Sequence, residues 1–400
     1  MANELLLPGR GVVHAKAEST YGTDATPGAS DVVLVLDFES AYQQDEISRE
    51  NAIQPHVNGL MSVHAMGHVT WGCKCELDMA TIANPVVAAN SEPEAHWALV
   101  SCGFSQHTDD TDKTIAYALR DSTHGSSTIY AYEADQDDSI ANLHKIVGAR
   151  ADFSLVLDPG APMMLELKNG FGIAQALNST AGQSVDNVIK ETSSGDWTTA
   201  KTVTYPSRDI FLSHTATCQL IESDSGTVYG GGSVGSPSNA LVVKSCTING
   251  NMNPQETPVM SGNQGVARID LRPTTHTVDL VLEATTLDHV NPYVWRAERT
   301  PLELNLTYTQ PGGGNGSNTL QVAMFGQVVG NIDKGEGHGS TTWGLTLALR
   351  YPADAADSSV VGTKPANTIV DDTGGNAVGI NLNPTSGYPA TKLLLQFATA

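Results

Sequence analysis

ADFSLVLDPGAPMMLELKNGFG, residues 151–172, decides the fold class. Ala151, Phe153, Leu155 and Leu157 recur at every second position, the spacing that lines one face of a strand. Asp158-Pro159-Gly160 then forms a turn tripeptide, and the apolar pattern restarts in PMMLELKNG. The stretch reads as a β-hairpin. Similar alternation fills 63–77 (VHAMGHVTWGCKCEL), 278–282 (VDLVL), 302–308 (LELNLTY) and 343–349 (WGLTLAL), each with Gly, Pro, Asn or Asp nearby. The apolar run 393–397 predicts a closing strand. Helical patterns are few. Residues 138–147 (DSIANLHKIV) predict one helix, with Asp137 or Asp138 as N-cap and Ile140, Leu143, Ile146 and Val147 on one side. Gly148 is its expected stop. Residues 40–53 predict a weaker helix or a long loop. The expected fold class is mainly β, a β-dominated α+β protein with one or two short helices.

Composition narrows the function classes. Charged residues are only 16% of the 400, below the roughly 25% of an average soluble domain. Acids outnumber bases 43 to 21, for a formal charge of −22. Such a field opposes adsorption to nucleic acid or anionic membrane, so DNA can pass this protein without being held. No run of about 18 apolar residues predicts a membrane-spanning helix. The opening MANELLLPGRG has Glu4 before its short apolar run and Pro8 after it, unlike a signal peptide, so folding in a cytoplasm is expected. Five cysteines, with Cys73 and Cys75 on one strand face and Cys102, Cys218 and Cys246 isolated, lack C-x-x-C spacing and read as buried free thiols.

Chain organisation follows from a composition break. Residues 174–205 are polar and weakly patterned, with Pro206 just beyond. The expected plan is a β domain over 1–175, a connecting segment over 176–205 and a second β domain over 206–400. An internal echo supports two similar halves. HVTWGCKCELDMATIANP (68–85) and HTVDLVLEATTLDHVNP (276–292) each hold a His-led strand, an acidic residue near its end, a threonine-containing turn and an Asn-Pro.

Chemistry-bearing motifs are sparse. His64 and His68 sit in a strand pattern about 13 Å apart, too far to share a metal. The G-x-S-x-G match at 231–235 is followed by no helix pattern, which argues against a nucleophile elbow. No phosphate-binding glycine loop is present. Asp109-Asp110, Asp135–Asp138 and Asp371-Asp372 read as solvated loop acids, without a calcium-loop spacing around them. No catalytic, cofactor-binding or metal residue is assigned, and no enzyme activity is expected. An exposed aromatic platform would indicate a carbohydrate-binding β-sandwich, but Trp71, Trp97, Trp197, Trp295 and Trp343 are scattered.

Several ordered segments resemble the major tail tube proteins of long-tailed bacteriophages. Glu18, Tyr21, Gly22 and Pro27 in AESTYGTDATP (17–27) resemble the family's E-x-x-Y-G-T opening, which leads into a first strand, here DVVLVLDF. Cys102, Gly103 and Phe104 in WALVSCGFSQ (97–106) resemble the element that follows its long hairpin. Then STIYAY (127–132), the predicted helix, Gly148-Ala149 and the hairpin with Gly160 and Gly170 follow in the family's order. The resemblance covers about residues 10–175. The second half departs by lacking the Y-G-T opening and the short helix.

The resemblance implies two tandem tail-tube domains, each a β-sandwich or barrel-like sheet, and a structural virion protein. Its copies would assemble in the bacterial cytoplasm into stacked rings around a tape-measure protein, with tail terminator and tail-tip proteins at the ends. The genome would later pass through the lumen. With two such domains, three copies build a pseudo-six-fold ring, which the echo favours over six copies each carrying a decoration domain. A tail-tip or head–tail adaptor ring is the alternative within structural proteins, and a carbohydrate-binding host-recognition module is the alternative outside them.

Overall fold

A computed structural model describes residues 6–49, 60–79, 92–109, 114–135, 141–158, 160–174, 189–191, 194–203, 209–211, 216–222, 227–230, 242–258, 266–309, 319–337, 340–350 and 392–398. The first half contains β1 (Leu6–Ala17), β2 (Val32–Val33), β3 (Val35–Arg49), β4 (Leu60–Glu76), β5 (Asp78–Met79), α1 (His96–Ser101), β6 (Phe104–Asp109), β7 (Thr114–Leu119), β8 (Ser127–Asp135), β9 (Ala141–Leu157) and β10 (Met164–Ala174). The middle of the chain adds β11 (Ile189–Glu191) and α2 (Ser194–Lys201). Then come β12 (Asp209–Ile210), β13 (Ala216–Glu222), β14 (Val228–Gly230), β15 (Val243–Asn249), β16 (Pro254–Pro258), β17 (Val266–Leu271), β18 (Thr277–Glu283) and α3 (Pro292–Glu298). Finally β19 (Pro301–Thr309), β20 (Thr319–Gly337), β21 (Ser340–Leu349) and β22 (Leu393–Ala398) complete the described elements. The protein is mainly β, and its ladders are antiparallel.

Three corrections to the sequence reading stand out. The predicted helix 138–147 is not one: from Ala141 onward it is the start of β9, with 136–140 outside the described residues. The pattern of Leu143, Ile146 and Val147 fits a helix locally, but β8 pairs along one edge of this segment and β11 and then β10 along the other. Lys145 through Ala151 are all buried, a burial on both faces that no amphipathic helix has. Gly148 is not a helix stop but a left-handed residue, φ 63°, where the register of β9 against its neighbours shifts. Residues 40–49, read as a helix or loop, belong to β3, whose backbone is paired along β4. The DVVLVLDF segment is also not the first strand, because β1 precedes it and pairs with β2 and β8.

The predicted hairpin 151–172 is present as β9 and β10, closed by a turn in which Ala161 N–H donates to the Asp158 carbonyl at 3.2 Å. The predicted strands at 63–77, 278–282, 302–308, 343–349 and 393–397 match β4, β18, β19, β21 and β22. The segment expected to connect two domains carries β11, which pairs with β9, and α2, whose Trp197 packs against Tyr132 of β8.

The halves repeat one ladder order. In the first, β3 pairs with β4, β4 with β10 and β10 with β9. In the second, β15 pairs with β18, β18 with β21 and β21 with β20. The N-terminal part of β9 bends into a second layer, beside β11 and β8, with β8 pairing onward to β1. The N-terminal part of β20 does the same, beside β22 and β19, with β19 pairing onward to β13. Both long strands carry a positive-φ glycine, Gly148 at 63° and Gly330 at 70°. Each half is thus a β-sandwich whose two sheets share one long strand.

One apolar cluster runs through both halves, from Trp71, Phe153 and Leu165 to Leu280, Leu304 and Leu345. Burying such side chains contributes roughly 1.5–3 kcal/mol each. The sheet itself crosses between halves at the ladder of β9 with β15. Each half also lends a hairpin to the other. The β6–β7 pair of the first half extends the second half's sheet through β22, and the β16–β17 pair of the second packs on β9 and β10.

Gly148 gives the fold a specific test. A Cβ there would lie 3.0 Å from the Tyr21 hydroxyl while the backbone stays left-handed. Gly148→Ala should destabilise by about 1–2 kcal/mol from backbone strain alone, with crowding adding to it. Urea unfolding measures this, and an unchanged midpoint would show that β9 needs no left-handed residue at this bend.

Candidate assembly surface

The E-x-x-Y-G-T segment has a definite structural task. After β1, the chain turns across the β8–β9 ladder, and the buried end of Glu18 ties that turn down. Its carboxylate accepts from the Gly22 N–H at 2.8 Å, the Ser126 hydroxyl at 2.6 Å, the Thr128 hydroxyl at 2.8 Å and the Gly148 N–H at 2.7 Å. Four donors on one carboxylate account for why a charge is tolerated at this half-buried place. Asp24, further along, accepts from the Tyr130 hydroxyl and pairs with the buried Lys145. Burial pushes the Asp24 carboxyl up, but those two hydrogen bonds outweigh it and leave it below the usual carboxylate value.

Tyr21 joins the two halves. Its ring lies under Gly148, its hydroxyl oxygen accepts from the Ile269 N–H of β17 at 2.5 Å, and burial pushes its phenol pKa up. The Arg150 guanidinium stacks on that ring, 4.4 Å from its centroid. Arg150 donates to the carbonyls of Ile269 at 2.5 Å, Gly125 at 2.8 Å and His124 at 2.6 Å. Arg150 and Tyr21 therefore clamp the β16–β17 hairpin of the second half to the first.

Of the residues singled out in the sequence, Glu18, Tyr21, Gly22, Gly148 and Ala149 meet at this node. Cys102, Gly103 and Phe104 form a separate buried corner between α1 and β6, where Phe104 stacks near Phe153 with 5.2 Å between centroids. Pro27 is buried just before a 3₁₀ turn at Ala29–Asp31. Gly160 lies in the β9–β10 turn. Gly170 is required by close approach, because a Cβ there would lie 2.6 Å from the Trp71 indole. These residues are not one site. Arg150, Lys145 and Asp24 were not singled out, although two cations inside an apolar strand signal buried partners.

Other sequence readings resolve individually. His68 of β4 pairs through Nδ1 with Glu256 of β16. Asp135, read as a loop acid, is buried at 1% exposure at the end of β8. Cys73 and Cys75 are both buried on one face of β4. All five tryptophans are buried, so none offers the exposed platform of a glycan-binding face. The motif at 231–235 and the pair Asp371-Asp372 lie outside the described residues. No group of three His, Cys, Asp or Glu among the described residues is placed to hold a metal.

What remains accessible is sheet edge. The ladders join β3, β4, β10, β9, β15, β18, β21 and β20 in one row. At its ends, among the described residues, β3 pairs only with β4, and the C-terminal part of β20 only with β21. Leu34, just before β3, and Leu36, within it, are 53% and 43% exposed.

Two substitutions test the interior. Tyr21→Phe removes the acceptor of the buried Ile269 N–H and should cost about 1–3 kcal/mol, with faster amide exchange at Ile269. Unchanged stability and exchange would remove Tyr21 from the clamp. Glu303, 3% exposed on β19, has its carboxyl pushed up by burial, against which the Asn305 amide hydrogen bond at 2.8 Å acts only in part. Its folded pKa exceeds the unfolded one, so its stability contribution is full at acid pH and is lost as pH rises through the folded value. Glu303→Gln should therefore raise Tm at pH 7–8, by an amount that shrinks as pH falls below about 4, where folded and unfolded carboxyls both become protonated. A lower Tm at neutral pH would refute this. No protein-family model matches the chain, and no curated protein matches it.

Proposed function

We propose that this chain is the ring-forming structural subunit of a bacteriophage tail tube. The observation that carries the reading is the row of eight strands, two four-strand units of the same ladder order in series, with an edge at each end that is unpaired among the described residues. A monomer that ends in two bare edges is a template for pairing with another chain. The ordered Glu18-to-Gly172 motifs, which resemble the tail tube family, supply the biological setting.

The two units of each chain favour three copies per ring with pseudo-six-fold symmetry. Three chains of −22 carry 3 × 22 = 66 formal negative charges. A ring of that net charge opposes stable binding of phosphate, as suits a channel through which DNA slides without being held. The partners of such a tube are further rings, a tape-measure protein inside and terminator and tip proteins at its ends. The mechanism is assembly, and no catalytic step is part of it.

Negative-stain microscopy of the purified chain over a range of concentration and salt tests the reading. Rings or stacked tubes are expected. Single rings that never stack would favour an adaptor or tip role, and a strictly monomeric protein under every condition would refute self-assembly.

A further inference from the structure

Helix α2 lies on the face of the β1–β8 ladder that points away from the main core. Along β1, Val13 and Ala15 face that core, so Val12 and His14 face the helix. Trp197 and Ala200 of α2 pack with Val12, Tyr132, Ala134 and Ala141 in a small apolar cluster of their own. The helix sequence SGDWTTAK holds a glycine and two threonines, poor helix formers, and eight residues are too few for a helix to stand alone. Its helical state depends on docking.

His14 sits beneath this helix at 2% exposure, with 5.5 Å between its ring centroid and that of Tyr132. Its Nε2 lies 3.0 Å from the Ala200 carbonyl oxygen, which only accepts, so Nε2 carries the ring proton and donates. Nδ1 has no hydrogen-bond partner. The neutral ring fits this seat and the imidazolium does not. A second proton would put a charge and an unmatched donor where water is excluded. Burial holds the His14 pKa below its usual value, and the carbonyls of Ala200 and Gly28 and the Asp31 carboxylate offset that only in part.

The other charged and titratable groups around the seat are already engaged. Asp31, in the 3₁₀ turn, pairs with Lys16 of β1 at 3.4 Å. Tyr130, opposite His14 on β8, donates to Asp24, which pairs with Lys145 of β9. On α2 itself, Lys201 rests over the Trp197 ring at 5.7 Å, and Asp196 lies near enough to Tyr132 to raise its phenol pKa, behind the larger effect of burial.

We propose that α2 is an acid-released cover, which leaves the β1–β8 face when His14 is protonated while the sheets stay paired. Strand β1 is the fixed side of the contact. It is held by ladders to β8 and β2 and by Val13 and Ala15 in the main core. Lifting an eight-residue helix is the smaller change that brings water to the imidazolium. Docking favours the neutral ring, so it is full above the ordinary histidine pKa of about 6.5 and weakens as pH falls below it. This device is independent of the self-assembly reading.

Hydrogen exchange of the full chain from pH 8 to pH 5, read by mass spectrometry and corrected for intrinsic rates, tests it. Carboxylates of ordinary pKa stay largely ionised over that range. Protection of the 196–201 amides should fall by up to about tenfold per pH unit below about pH 6.5, while β1 and β8 keep theirs. Release also exposes Trp197, giving a red-shifted fluorescence component that Trp197→Phe removes. His14→Gln keeps a side-chain N–H donor but does not titrate, so its α2 protection should be independent of pH. Protection of α2 that stays flat from pH 8 to pH 5 in the wild-type protein would overturn the proposal. Loss in step with β1 and β8 would do the same, as would wild-type pH dependence in His14→Gln. Should His14→Gln fail to seat α2 at any pH, the wild-type exchange profile decides alone.

Discussion

Backbone hydrogen bonding along β9 is the constraint on which the rest of the structure depends. A strand buried on both faces has no water to satisfy its N–H and C=O groups, so neighbours must do so along its whole length. Four different strands share that task, and each fixes one part of the fold. β8 and β11 define the outer layer, β10 the inner one, and β15 carries the sheet into the second half. The bend at Gly148 lets one strand belong to both layers. Glu18, Tyr21 and Arg150 gather at that bend because its unpaired groups and crowded geometry need side-chain partners there.

How much of this was legible in the sequence depended on the range of the interaction. The β9–β10 hairpin was readable because its alternation and its Asp158-Pro159-Gly160 turn are local, and the same holds for β18, β19, β21 and β22. The start of β9 was misread as a helix because Leu143, Ile146 and Val147 are spaced as they would be on a helix face. What makes them strand is pairing with β8, a decision taken by tertiary neighbours and invisible in a short window. The bare edges of β3 and β20 were invisible for the same reason, since an edge is defined by which strand is missing. Glu18 and Tyr21 were found through family resemblance, but their partner Arg150 was not. Its role depends on carbonyls of Gly125 and Ile269, which lie far apart in the chain.

The ladder order that the two halves share brings together several features that otherwise look unrelated. Two long strands with left-handed glycines, two short helices after equivalent strands and two small strands returning onto the long ones all occur once per half. The halves differ mainly in their extra hairpins. β6–β7 is set apart from the ladder order the two halves share, β16–β17 is separate from β15 and β18 where β3 and β4 run on as one hairpin, and both small hairpins pack across the junction. Loss of the exact symmetry between units thus coincides with the contacts that bind them to each other.

That exchange of hairpins bears on how the chain reaches its native state. β7 completes its pairing only on β22, which lies at residues 393–398, about 280 residues later. A nascent first half therefore emerges with a strand edge that its own neighbours cannot cover, and the order of synthesis delays its closure. Contacts of such sequence separation slow folding, because a long loop must close before they form. Until then the hairpin is exposed to other chains, so the same connectivity that locks the finished subunit makes its partly made form the species most prone to misassociation.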